Sequence, residues 1–129
     1  MKEKENNSSS VIDAFDLNGR VAIITGGAGL LGQEHAEAIL ECGGIPVLLD
    51  IDEERVQDIA TSLESKFGHQ CLGLNVDITQ PDQVKKSCKD LLNQFGRIDI
   101  LINNATNNPR LEDIDNKDCL RLEQFPIDL

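Results

Sequence analysis

Thr25-Gly26-Gly27-Ala28-Gly29-Leu30-Leu31-Gly32 joins an apolar run, Val21 to Ile24, to a segment of helical period. Within it Gly27-x-Gly29-x-x-Gly32 has the spacing of a turn that cradles phosphates. Its glycines permit a tight turn, let the backbone approach a pyrophosphate, and let the following helix lie close to the strand. The amino end of that helix adds unpaired N–H groups and a partial positive charge. A plain strand-to-helix turn also favours glycine, so the reading depends on what lies on either side.

Outward from this turn, short apolar runs alternate with longer helical segments. The runs are Val21 to Ile24, Ile45 to Leu49, Cys71 to Leu74 and Ile98 to Ile102. Three helices are predicted between them by apolar spacing and by their stop signals. The first places Leu31, His35, Ala38, Ile39 and Cys42 on one face and stops at Gly43-Gly44. The second aligns Val56, Ile59, Ala60, Leu63 and Phe67, with Asp52 as cap and Gly68 as stop. The third aligns Val84, Cys88, Leu91, Leu92 and Phe95 and stops at Gly96; Thr79 is its expected cap, Pro81 suits its first turn, and Asp82 completes a capping-box-like Thr-x-x-Asp. The order β-α-β-α-β-α-β predicts an α/β fold: a Rossmann-type, doubly wound parallel sheet with strands in the order 3-2-1-4. Residues 1–17 are charged and Asn/Ser-rich and are expected to be a disordered polar tail; 18–129 are expected to form a partial dinucleotide-binding domain, incomplete at its C-terminus.

The second strand ends in Val47-Leu48-Leu49-Asp50, where a carboxylate is placed to accept hydrogen bonds from an adenosine ribose. Asp50, Asp52, Glu53 and Glu54 would repel a 2′-phosphate, which favours NAD over NADP. The plain alternative for Asp50 is a strand-end acid that caps the next helix.

Taken together, these residues resemble the short-chain dehydrogenases/reductases. The resemblance runs from Gly19 to about Leu129. It rests on Gly19-Arg20-Val21-Ala22-Ile23-Ile24-Thr25-Gly26 and the turn that follows, on Asn75-Val76-Asp77-Ile78-Thr79, and on Asn103-Asn104-Ala105. It implies cofactor contacts from Gly26, Gly29, Leu31, Gly32, Asp50 and Ile51. Asp77 and Ile78 would border the adenine ring, Asn104 and Ala105 would line the cleft, and Asn103 would brace the sheet. Two positions depart from the family pattern: Leu30 stands at the usual second glycine of the turn, with Gly29 one place earlier, and Thr106 replaces the usual glycine after Asn-Ala. The glycine spacing is similar to that of the extended branch, which includes nucleotide-sugar epimerases and dehydratases. Asn103-Asn104-Ala105 is similar to the smaller type, which is preferred.

The resemblance also implies an NAD-dependent oxidoreductase that moves hydride to or from an alcohol or carbonyl. That chemistry uses a Ser and a Tyr-x-x-x-Lys to handle the alkoxide proton. The 129 residues contain no Tyr. In the family those groups follow the segment matched here, so no catalytic residue is assigned and the chain alone is expected to be inactive. A non-catalytic nucleotide-binding or interaction module is the alternative.

Composition narrows the remaining classes. Twelve Lys and Arg against 23 Asp and Glu leave a formal net charge of -11, which argues against binding to nucleic acid or to anionic membranes. The longest apolar runs fall far short of the roughly 20 residues a spanning helix needs. His35 and His69 lack metal-ligand spacing, so no metal site is expected. Cys42, Cys71, Cys88 and Cys119 show no paired spacing and suggest reduced thiols in a cytoplasmic protein. The expected partners are a dinucleotide, a small alcohol or carbonyl substrate and, for a complete enzyme, a second copy.

Overall fold

A computed structural model describes residues 10–106. Strands β1 (Val21–Thr25), β2 (Ile45–Asp50), β3 (Leu72–Asn75) and β4 (Ile100–Ile102) form one parallel sheet in the order β3-β2-β1-β4, as the alternation of elements predicts. Parallel neighbours cannot be joined by a tight hairpin, and the crossovers are α2 (Leu30–Glu41), α3 (Glu53–Phe67) and α4 (Pro81–Phe95). The central strands are buried on both faces and therefore read as continuous apolar runs. Register pairs Ile24 with Leu48 on one face and Ile23 with Val47 on the other. Ile24 and Leu48 pack with Ala36, Leu40, Val56, Ala60 and Leu63 under α2 and α3. Val21, Val47 and Leu49 pack with Val76 and Leu91 under α4.

Residues Ser10–Leu17 fall in the segment read as a disordered tail. They include a single helical turn, α1 (Val11–Ala14), closed by a capping box between Ser10 and Asp13. None of its residues is buried, but Leu17 N donates to Cys42 O at 2.8 Å, which ties the segment to the end of α2. Local hydrogen bonding thus shapes a stretch that leaves Val11, Ile12 and Phe15 largely exposed. Residues 1–9 and 107–129, Cys119 among them, lie outside the described residues.

The helix ends match the sequence signals more closely than the helix faces do. Gly68 and Gly96 take left-handed backbone at φ 68° and 73°, and Asp52 caps α3 by accepting from Arg55 N at 3.1 Å. Thr79 does not cap α4. Gln80 occupies the cap position without a side-chain bond, because the Thr79 hydroxyl turns back to Asp77 Oδ1 at 2.7 Å. In α2 the buried stripe is Gly32, Ala36, Ile39 and Leu40 rather than Leu31, His35, Ala38, Ile39 and Cys42. The cause is close approach: small residues at 32 and 36 bring the helix against the sheet, which turns Leu31 and Ala38 outward.

β4 begins two residues later than expected. Asp99 N donates to Val21 O, and Val21 N donates to the Asp99 carboxylate at 2.8 Å, so a side chain replaces the strand ladder there. The ends of β1, β2 and β4, the residues after β3 and the starts of α2 and α3 gather at one edge of the sheet. Ligands bind along this edge in open α/β sheets.

Candidate nucleotide-binding site

β1 ends on Thr25, which is 6% exposed. Its hydroxyl oxygen accepts from Asn104 N at 3.1 Å and from Ala105 N at 3.0 Å. The Asn104 side-chain amide donates to Thr25 O and Gly26 O, each at 3.2 Å. The segment after β4 is thereby fastened to the start of the Gly-rich turn. Gly26 has φ 64°, and a Cβ on it would lie 2.9 Å from Ala105 Cα, so both backbone angle and space require glycine. The bracing role expected of Asn103 is carried out by Asn104.

The turn is also held from β2. Gly27 N donates to Leu49 O at 3.1 Å, and Ala28 N donates to Asp50 Oδ2 at 3.0 Å. The other carboxylate oxygen of Asp50 accepts from Asp52 N at 3.1 Å. Behind it, the Asn75 side chain donates to Ile51 O at 2.9 Å and to Asp50 O at 3.3 Å, which locks the end of β2 to β3. Ile51 and Ile78 are exposed at this edge, 73% and 46% respectively, and present apolar surface there. Next to Ile78 in the chain, Asp77 accepts through Oδ1 from Thr79 N and Thr79 Oγ1; those bonds, the hydroxyl's first, lower its pKa. Asp77 N accepts no role in the strand ladder and donates instead to Gln83 Oε1 at 2.9 Å.

At the start of α2, Gly29 is the cap residue and makes no side-chain cap bond. The first backbone bond of the helix returns from Gln33 N to Gly29 O at 3.2 Å. The amides of Leu30, Leu31 and Gly32 therefore have no acceptor within the helix. Leu30 and Leu31 are largely exposed, and a Cβ on Gly29 would come near only Gly26 O, at 3.3 Å. Gly32 behaves differently: its Cβ would lie 2.5 Å from Gly26 O, so this glycine serves helix packing. Open space above unpaired N–H groups, with no acid in the first turn, suits a phosphate.

The edge thus brings together Gly26, Gly29, Leu31, Gly32, Asp50, Ile51, Asp77, Ile78, Asn104 and Ala105. Thr25, Asn75 and Gln83 complete its framework and were not singled out by sequence reasoning. Only Thr25 carries a usable signal, as a hydroxyl that ends an apolar run immediately before the glycines. Beside Asp50, a shallow depression lined by Gln33, Asp52, Glu54, Arg55, Asp58 and Ile59 carries Arg55 as the one cation among its lining residues. Among the described residues there is no cluster of three metal-ligating side chains, and no helix long and apolar enough to cross a membrane.

The sheet order and the glycine turn define a Rossmann-type α/β protein. The chain belongs to the short chain dehydrogenase family, whose profile matches residues 20–124. It is 40% identical over 102 residues to a short chain dehydrogenase/reductase of Gibberella zeae, covering 79% of this chain and 37% of that protein. Among solved structures it resembles the NADPH-dependent 3-quinuclidinone reductase of Rhodotorula rubra, with 32% identity and a TM-score of 0.68 over 78% of this chain and 38% of that one. NAD+-bound xylitol dehydrogenase is similar at 30% identity and a TM-score of 0.65, covering 70% and 35%. The chain spans little more than a third of the length of these relatives.

Proposed function

We propose that this chain is the NAD-binding part of a short-chain oxidoreductase that acts on an alcohol or carbonyl. The observation that carries the reading is the row of unpaired amides at Leu30, Leu31 and Gly32, open above Gly29 and adjacent to the Asp50 strand end. In this reading the α2 amides hold the pyrophosphate, Asp50 accepts from the adenosine ribose, and Ile51 and Ile78 flank the adenine while Asp77 accepts from its amino group. Asn104 and Ala105 wall the cleft toward β4. A bound nicotinamide dinucleotide supplies the hydride carrier, and the residues that handle the substrate proton are assigned to the region equivalent to the remainder of the longer relatives.

The preference for NAD is supported by local charge. Asp50, Asp52, Glu53 and Glu54 cluster at the end of β2 and the start of α3, where they would repel a 2′-phosphate, and Arg55 is the one cation among the residues lining the depression there. Relatives of this fold are described with either cofactor, so the acids of this chain are the discriminating feature. The cytoplasmic setting is supported by Cys42, Cys71 and Cys88, all of which are free thiols.

Calorimetric titration of the purified chain with NAD, NADP and ADP tests the proposal. Binding of NAD and ADP, with NADP weaker by at least tenfold, is the expected result. Equal or tighter binding of NADP overturns the cofactor preference, and no binding of any of the three overturns the reading. Hydride transfer with a panel of polyols and their ketones by the same preparation would remove the inactivity assigned to the isolated chain.

A further inference from the structure

The two oxygens of Asp50 are already engaged by the protein itself. Oδ2 accepts from Ala28 N, 22 residues earlier in the chain and inside the Gly-rich turn; Oδ1 accepts from Asp52 N, at the cap of α3. A carboxylate offers about four acceptor sites, so two remain for an outside ligand. Bonds from amides to an ionised carboxylate are stronger than those between neutral groups. Elsewhere in the turn Thr25 and Asn104 fix its beginning, Gly27 N is held by the backbone of Leu49, Gly29 N closes back on Gly26 O at 3.1 Å and Gln33 Nε2 donates to Gly29 O at 3.3 Å, which leaves Asp50 as the side chain that holds Ala28 N. Beyond Ala28 the turn passes through exposed Gly29 straight into the unpaired amides of α2.

We propose that Asp50 is a positioning residue for the pyrophosphate cradle: its carboxylate fixes the middle of the turn, and hence the direction of the α2 amides, before any dinucleotide arrives. This role is separate from ribose recognition, and its relevance to ligand binding rests on the dinucleotide reading above. It carries a consequence for cofactor choice. Replacing Asp50 to admit a 2′-phosphate removes a repulsive charge, but it also releases the turn on which both dinucleotides depend.

The decisive probe is inorganic pyrophosphate, which has no ribose. Charge alone predicts that Asp50→Ser strengthens pyrophosphate binding, because an anion leaves the neighbourhood. Loss of positioning predicts the opposite. We expect Asp50→Ser to weaken pyrophosphate binding at least threefold in an NMR titration of the whole chain, and to raise amide hydrogen exchange at Ala28 at least tenfold in the unliganded protein. Exchange at Val47 and Leu48 in the buried strand should stay unchanged and reports that the fold is intact. Asp50→Asn keeps the shape and one acceptor, so it should fall between wild type and Asp50→Ser; it also serves as the test variant if Asp50→Ser does not fold.

Unchanged Ala28 exchange, or pyrophosphate binding that tightens, in a folded variant overturns the proposal. The dinucleotide reading fails separately: if wild type binds neither NAD nor pyrophosphate, that reading falls, while Ala28 exchange still decides whether Asp50 holds the turn.

Discussion

Gly29 and Gly32 lie one helical turn apart and should respond in opposite ways to a side chain. At Gly32 a methyl group would sit 2.5 Å from Gly26 O and 2.8 Å from Gly27 Cα, both backbone atoms that cannot swing aside. Gly32→Ala is therefore expected to lower stability by about 1–3 kcal/mol, the usual range for overpacking, in a denaturant titration. At Gly29 the approach is milder, 3.3 Å from the same Gly26 O, which need shift only by a few tenths of an ångström, and the helix lacks a side-chain cap. Gly29→Asp should leave stability within a few tenths of a kcal/mol or raise it slightly, because Asp is a favoured cap residue. Its carboxylate would occupy the same amides that a phosphate needs, and NAD affinity should fall more than tenfold by calorimetry. Glycine spacing marked both positions in the sequence, but it did not separate the one that packs from the one that leaves space. That distinction depends on which backbone atoms lie opposite. Nor did it reveal that Asp50, read as a ribose acceptor, already accepts from Ala28 N, since a bond spanning 22 residues leaves no local pattern.

At the level of elements, α4 shows how far periodicity can be trusted. Its apolar positions Val84, Cys88, Leu91, Leu92 and Phe95 were read as one stripe. Leu91 alone among them is fully buried, with Phe95 partly buried against the same core. Val84 and Leu92 are 38% and 45% exposed, so the stripe is wider than the contact it makes with the sheet. Leu91→Ala should cost about 2–5 kcal/mol, the range for emptying a core leucine. Leu92→Glu should change stability by no more than about 0.5 kcal/mol, as a substitution outside the core does. Parallel thermal and urea melts of the two variants check the contrast, and similar losses for both would show Leu92 to be buried in solution. In α3 the stripe and the contact coincide: Val56, Ala60 and Leu63 are buried, Ile59 and Phe67 pack against the same core, and the helix lies over β3 and β2. The sequence pattern thus located the three crossover helices and missed α1. It placed the buried face correctly in α3, whereas the small residues of α2, which lies over β1 and β2, shifted its face by one position.

For the molecule as a whole, strand order was legible because parallel strands linked by helices leave few arrangements, whereas the fastening of β4 to β1 was not. Asp99 makes that connection. It pairs with the Arg97 guanidinium and accepts from Val21 N, and these partners, the guanidinium first, bring its pKa down from 3.8 to about 2. A carboxyl depressed by folding contributes stability that is fully present above its unfolded pKa and is lost as pH falls through the folded one. Wild type should therefore lose melting temperature between about pH 4 and pH 2 more steeply than Asp99→Asn. Superimposable pH profiles for the two proteins would show that the carboxylate is not coupled to folding. The same bond also sets a delay in time. Val21 and Asp99 are 78 residues apart, and a ribosome working at about 5–20 residues per second needs roughly 4–16 s to make the intervening chain. Among the described strands β1 is synthesised first, yet one of its flanks waits through that interval. A nascent chain thus holds a five-residue apolar strand open to mispairing until the segment that closes it has left the ribosome.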